Sequence, residues 1–179
     1  MPRTLDPQAP PETTCRLLSN GALRVLFTAR GSGCVAYARQ ALTPWRGDRL
    51  ADADGLFVYL RDLETGRFWG LGQMGSQSDG ASRRAAWEPG VFTLSCRSHD
   101  LDARLEVCVV PDAAAALFRL TVDDRSGRHR RLEITTCAAV VLADPAAHAA
   151  HPAFAKLFVQ TEAEPGTRAL LARRRPRSR

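Results

Sequence analysis

The stretch LDARLEVCVV constrains this chain most: Leu101, Ala103, Leu105, Val107 and Val109 alternate with Asp102, Arg104 and Glu106. A period of two places one side of an extended strand in an apolar interior and the other in water, a pattern that a helix cannot bury. Val91 to Arg97 precedes it across Ser98-His99-Asp100, which reads as a hairpin. Leu56 to Arg61 and Arg67 to Leu71 enclose Asp62 to Gly66, a loop with glycine near its end, and read as another. Upstream, RLLSNGALRVLFT carries the Asn20-Gly21 turn signal. Downstream, AALFRLTVDD, a Ser126-Gly127 turn and RRLEITTCAAVVLA give two more strands. The last ends in a continuous apolar run suited to a strand covered on both faces. About seven or eight strands at intervals of about 8 to 12 residues predict an all-β, antiparallel sandwich or barrel.

The helix-like piece is DPAAHAAHPAFAKLF. Alanine favours helix there, while Pro152 turns His151 away from helical angles. The expectation is a short helical turn near 144–151 and a strand near Leu157 to Thr161. With 179 residues the chain has the length of one domain, and aromatic residues at 7% require a largely aliphatic core. The organisation predicted is a flexible proline-rich leader over 1–14, a β-sandwich over 15–172 and an arginine-rich end over 173–179 read as a truncated loop. The leader has no apolar stretch of the kind a secretory signal needs, and no apolar run reaches the roughly 18 to 20 residues of a membrane span.

The net charge of +6 is almost all arginine, Lys156 being the one lysine. Arginine for lysine together with abundant alanine reads as coding bias, and basic charge without interleaved stacking aromatics argues against a nucleic-acid partner. RRRPRSR at the end has the same weakness. Cys15, Cys34, Cys96, Cys108 and Cys137 are scattered without C-x-x-C spacing and read as reduced thiols of a cytoplasmic protein. Cys96 and Cys108 stand on neighbouring strands, which leaves a disulfide between them open.

Asp144, His148 and His151 invite a metal reading, but zinc takes three or four ligands, and Pro145 and Pro152 interrupt the helix that would gather these side chains. No metal and no cofactor is expected. A nucleophile elbow is absent, and Gly31-Ser32-Gly33 lacks the lysine of a phosphate loop. The stretch LTPWRGDRLADADG differs in kind, because Trp45 stands beside Arg46, Asp48 and Arg49. An exposed indole packs on the apolar face of a pyranose while charged neighbours bond its hydroxyls, so these four residues form the candidate carbohydrate-binding set. The alternative is that Trp45 plugs the end of the sandwich and the charges are solvated. Trp69 and Trp87 lie in or beside strands and read as packing residues.

Taken in order, LLSNG, TARGSG, TPWRGD, FVYLRDLETGRFW, LEVCVVP, AAHPAFAKLFVQTE and ALLARRRPRS resemble the β-sandwich domain of glycoside hydrolase family 94, formerly glycosyltransferase family 36. The copies carried by cyclic β-1,2-glucan synthases are the most similar, and HPAFAKLFVQTE followed by ALLARRRPRS is the most specific part. The resemblance implies a galactose-mutarotase-like supersandwich, incomplete at this length and normally followed by an (α/α)6 barrel. In the family an aspartate of that barrel is the general acid, so no catalytic residue carries over to this chain. It also implies a non-catalytic, carbohydrate-binding role in glucan metabolism. The partners implied are a β-glucan or glucose-containing oligosaccharide, and either the missing barrel or further copies of the chain. The alternative is a purely structural fragment that self-associates or docks on a separately encoded catalytic chain. In the family pattern an acidic residue usually stands at His148, which makes His148 a surface substitution. His151 then becomes the hinge of a turn ahead of a buried Phe154 and Leu157.

Overall fold

The computed structural model describes residues 3–5, 15–47, 53–72 and 80–176. The chain begins with β1 (Arg3–Leu5) and then folds β2 (Cys15–Ser19), β3 (Leu23–Thr28), β4 (Gly33–Tyr37) and β5 (Gln40–Ala41) into a four-stranded antiparallel sheet. Next, β6 (Leu56–Asp62) and β7 (Phe68–Gly70) form the hairpin expected around Asp62 to Gly66. A meander follows of β8 (Ser82–Glu88), β9 (Val91–Ser98), β10 (Leu101–Val109) and β11 (Ala116–Asp124), and β1 adds to the outer side of β8. Then β12 (Leu132–Ala138) returns to pair with β6, giving a three-stranded sheet in the order β12-β6-β7. Two short helices, α1 (Pro145–Ala150) and α2 (Pro152–Lys156), lead into a separate hairpin of β13 (Val159–Glu164) and β14 (Ala169–Arg174). All these strand pairings are antiparallel, so the molecule is the all-β fold that the alternation predicts.

The alternation in β10 resolves as expected. Leu101, Ala103, Leu105 and Val107 are each no more than 4% exposed. The outward Asp102 and Glu106 are held by Arg97 at 2.6 Å and Arg119 at 2.6 Å. Facing this sheet, β2 and β3 contribute Leu18, Val25 and Phe27, and β6 and β7 contribute Val58, Leu60 and Trp69, all to one core. Phe27 of one layer stacks on Phe92 of the other, with ring centroids 4.5 Å apart and planes 5° from parallel. Inner faces of two sheets interdigitating in this way are the core of a sandwich.

One end of the sandwich is fastened by a buried ion pair. Arg130, after β11, donates from Nη2 to Asp62 Oδ2 at 2.7 Å and from Nη1 to the His99 carbonyl at 2.6 Å, with the two side chains 3% and 1% exposed. The His99 ring stacks on buried Trp69, centroids 4.7 Å apart. Three connections, after β6, after β9 and after β11, are thereby tied to one another. The hydrogen bond from Arg130 holds the Asp62 carboxyl down at about 2, from an ordinary 3.8.

Several expectations need correcting. Arg3–Leu5, inside the span read as a leader, forms a strand paired with β8, so that span is not wholly outside the sheet. The run after Leu132 is not covered on both faces: β12 is an edge strand, and Ile134 is 53% exposed. Its apolar continuation leaves the strand, and Val141 and Ala143 pack with Ala41 in a small second cluster. The helical piece does not end at His151, because a second helix starts at Pro152, where the missing N–H of proline costs nothing. The strand expected from Leu157 begins at Val159 instead. Arg173 and Arg174 belong to β14 and not to a truncated loop. Cys96 points into the core, whereas Cys108 is one residue out of phase with the inward positions of β10, so the two thiols lie on opposite faces and stay free.

Candidate functional site

The loop that carries Trp45 is fixed where it leaves the four-stranded sheet. Leu42 and Thr43 both donate their backbone N–H to the Val35 carbonyl, at 2.9 and 3.1 Å, and Thr43 Oγ1 accepts from the Val35 N–H at 2.8 Å. Pro44 is buried, and the next residue, Trp45, is 43% exposed. Arg46 is then clamped by Asp54: its N–H donates to Oδ2 at 2.5 Å, and its Nε and Nη2 donate to Oδ1 at 3.0 and 2.6 Å. Asp54 is only 4% exposed, and its own carbonyl accepts from the Gly33 N–H at 2.8 Å. Gly55 permits this approach, because a Cβ there would stand 3.1 Å from the Gly33 nitrogen, and its φ of +154° is one that side chains rarely adopt.

Of the four residues singled out in the sequence, the structure therefore sets Trp45 and Arg46 side by side, while Asp48 and Arg49 lie outside the described residues. Asp54 was not foreseen. Nothing local distinguishes Asp54 from Asp52 as the partner of Arg46. The arrangement fixes the backbone directly after the exposed Trp45.

The residues that raised the metal question have other duties. Asp144 Oδ1 accepts from the N–H groups of Ala146 and Ala147, at 2.9 and 3.1 Å, and so caps α1. His151 is the junction of the two helices, with φ −144° and ψ 70°, as its place before Pro152 requires. His148 is partly exposed on a helix that buries none of its residues, although its Nδ1 is shielded from solvent. Phe154 and Leu157 were expected inside, but they are 50% and 64% exposed; Ala155 is the buried residue of α2. Among the described residues no three metal-ligating side chains come together. The Cys34 thiol, pushed up to about 11 first by burial and then by the charge of Asp54, is a poor nucleophile at neutral pH.

Arg174, the last residue of β14, and Arg175 after it are likewise structural. Arg174 Nη1 donates to the Ala155 and Val141 carbonyls at 3.1 and 3.3 Å, and the guanidinium groups of Arg174 and Arg175 lie 5.5 and 5.7 Å from the centre of the Phe158 ring. Within the hairpin, Leu170 and Leu171 are 84% and 51% exposed among polar neighbours that include Gln160, Glu162 and Glu164. Among the described residues no helix is long and apolar enough to cross a membrane.

Comparison with known proteins decides the family. Residues 2–179 match the family model described as glycosyl hydrolase 94, supersandwich domain. The chain belongs to this family. The supersandwich is not itself the catalytic domain of the glycosyl hydrolase 94 enzymes. The chain is also similar to the cyclic beta-(1,2)-glucan synthase NdvB of Rhizobium meliloti (strain 1021), with 31% identity over 146 residues. The aligned region covers 82% of this chain and 5% of that relative. The resemblance carried by HPAFAKLFVQTE and ALLARRRPRS is thus upheld, and the antiparallel sheets facing one core are the corresponding architecture.

Proposed function

We propose that this supersandwich chain is a non-catalytic, carbohydrate-contacting accessory portion of a cyclic β-1,2-glucan synthase or a family 94 phosphorylase. It works in the cytoplasm with a catalytic (α/α)6 barrel carried outside these residues. The observation that carries this reading is the Trp45 loop: the indole is 43% exposed, directly before an arginine that a buried aspartate holds in place. A preorganised aromatic surface can stack on a pyranose without first being ordered, which removes part of the entropic cost of binding. Similarity to a protein named as a cyclic β-1,2-glucan synthase supports β-1,2-linked glucose as the ligand.

The test is a titration of soluble β-1,2-glucan followed by tryptophan emission. Trp69 is buried and Trp87 half-buried, so Trp45 is the indole most open to a ligand. A saturable change that disappears in Trp45→Ala supports the reading, and an unchanged spectrum at millimolar glucan defeats it. A second reading, favoured by the exposed Phe154, Leu157, Leu170 and Leu171, is that the chain mainly docks, either on the barrel or on its own copies. Sedimentation velocity separates the alternatives, because self-association makes the apparent mass rise with concentration.

A further inference from the structure

A second aromatic surface lies on the outer side of the three-stranded sheet, built by residues far apart in the sequence. In β6, Val58 and Leu60 point into the core, which turns Tyr59 and Arg61 outward. The register sets Tyr59 between Thr135 of β12 and Gly70 of β7, and Arg61 between Glu133 and Phe68. Tyr59, Arg61, Gly66, Phe68, Glu133 and Thr135 together line a shallow cavity of about 540 Å³. That size lies within the range of roughly 300–1,000 Å³ usual for small-ligand sites.

The chemistry of this cavity is specific. Phe68 is 66% exposed, far more than packing in a sandwich would leave a phenylalanine. Gly70, opposite Tyr59, has no side chain to cover that flank of the ring. The Tyr59 hydroxyl has no hydrogen-bond partner among the described residues. Arg61 and Glu133 stand 3.9 Å apart at their closest, too far for a good hydrogen bond, so both keep donor or acceptor capacity for a ligand. Glu133 Oε1 accepts from Thr135 Oγ1 at 3.3 Å, which orients the carboxylate along the same face. One positive and one negative group on a small surface disfavour either sign of charged ligand and suit an uncharged one. Two aromatic rings beside a guanidinium, a carboxylate and two hydroxyls suit a molecule with apolar faces and hydroxylated edges.

We propose that the Tyr59/Phe68 face is a binding site for uncharged β-linked glucose oligosaccharides, separate from the Trp45 loop. The ring of Phe68 stacks on a pyranose, while Arg61, Glu133 and the Tyr59 hydroxyl bond its hydroxyls. The class of ligand is shared with the function proposed above and rests on that reading; the site does not use Trp45.

The experiment is isothermal titration of β-1,2-linked glucose oligosaccharides into the parent chain, Phe68→Ala and Trp45→Ala. An exposed phenylalanine is removable without loss of fold, which circular dichroism checks; should Phe68→Ala unfold, Arg61→Met takes its place. The proposal expects Phe68→Ala to weaken binding about three- to tenfold, the loss of one aromatic stacking contact. It also expects Trp45→Ala to leave measurable binding that Phe68→Ala in the same chain then removes. If Trp45→Ala abolishes all binding and Phe68→Ala changes nothing, the second site is overturned and the Trp45 reading stands. If the parent binds nothing, both fall. If Phe68→Ala alters sedimentation instead of sugar affinity, the face is a protein contact and the proposal is wrong.

Discussion

Leu60 is fully buried in β6, whereas Leu170 in β14 is 84% exposed, and the contrast extends to the regions around them. The sandwich end holds Asp62, Arg130, His99 and Trp69 in one interlocked group, and both layers supply side chains to a shared core. Among the described residues the β13–β14 hairpin instead pairs only with itself. Arg174 attaches it to the Ala155 and Val141 carbonyls, and the Arg175 N–H donates to the Phe158 carbonyl as a further rung of the hairpin itself. A two-stranded hairpin is marginal in isolation, and Leu170 and Leu171 leave an apolar side chain exposed on each of its faces. The sandwich is held from both layers, whereas the hairpin leaves most of its side chains exposed.

The comparison can be broken first at the sandwich. Phe92→Ala removes a ring that is 1% exposed and stacked on Phe27, and urea denaturation should show a loss of about 3–5 kcal/mol. A cost below about 1 kcal/mol would mean that the two layers do not share a tightly packed core.

The next effect is one of pH. Because the folded Asp62 carboxyl is held at about 2, below its ordinary 3.8, it contributes stability that is present above pH 4 and lost as pH falls towards 2. Asp102, lowered chiefly by its hydrogen bond from Arg97, and Asp124, lowered chiefly by that from Ser126, act in the same direction. Asp62→Asn should therefore lower the melting temperature at neutral pH and make the decline between pH 4 and 2 shallower without abolishing it. A parallel acid profile for the variant would show that the Asp62 carboxyl is not held below its ordinary range in the folded chain.

The smallest effect on stability belongs to the hairpin. Leu170→Ser should stay within about 0.5 kcal/mol of the parent, since a side chain so exposed contributes little to the fold. If the hairpin is a contact between copies, the same substitution should shift sedimentation towards the monomer. A large stability loss from Leu170→Ser would place the hairpin with the sandwich and erase the distinction.

Legibility in the sequence followed the range of the interactions. The β9–β10 hairpin was readable because alternation is a local record of which side of a strand is buried, and the turn at Asp62 to Gly66 was readable from its glycine. Trp45 and Arg46 could be singled out because they are adjacent. What escaped was set by distant partners. The edge position of β12 depends on which strands lie beside it, so an apolar run could not reveal that Ile134 faces outward. Phe154 and Leu157 looked like core residues because hydrophobicity states a preference and not a location. Asp54 becomes informative only when it meets Arg46, and the Tyr59/Phe68 face exists only once β6, β7 and β12 are side by side.

We propose that glucan is contacted by the sandwich, at the Trp45 loop and the Tyr59/Phe68 face, and not by the hairpin. Hydrogen–deuterium exchange of the chain with and without saturating β-1,2-glucan tests it most directly. The account predicts slower exchange at the amides of Trp45, Arg46 and Gly47 and along 59–68, with 159–174 unchanged. Protection confined to 159–174, or none anywhere, would contradict it.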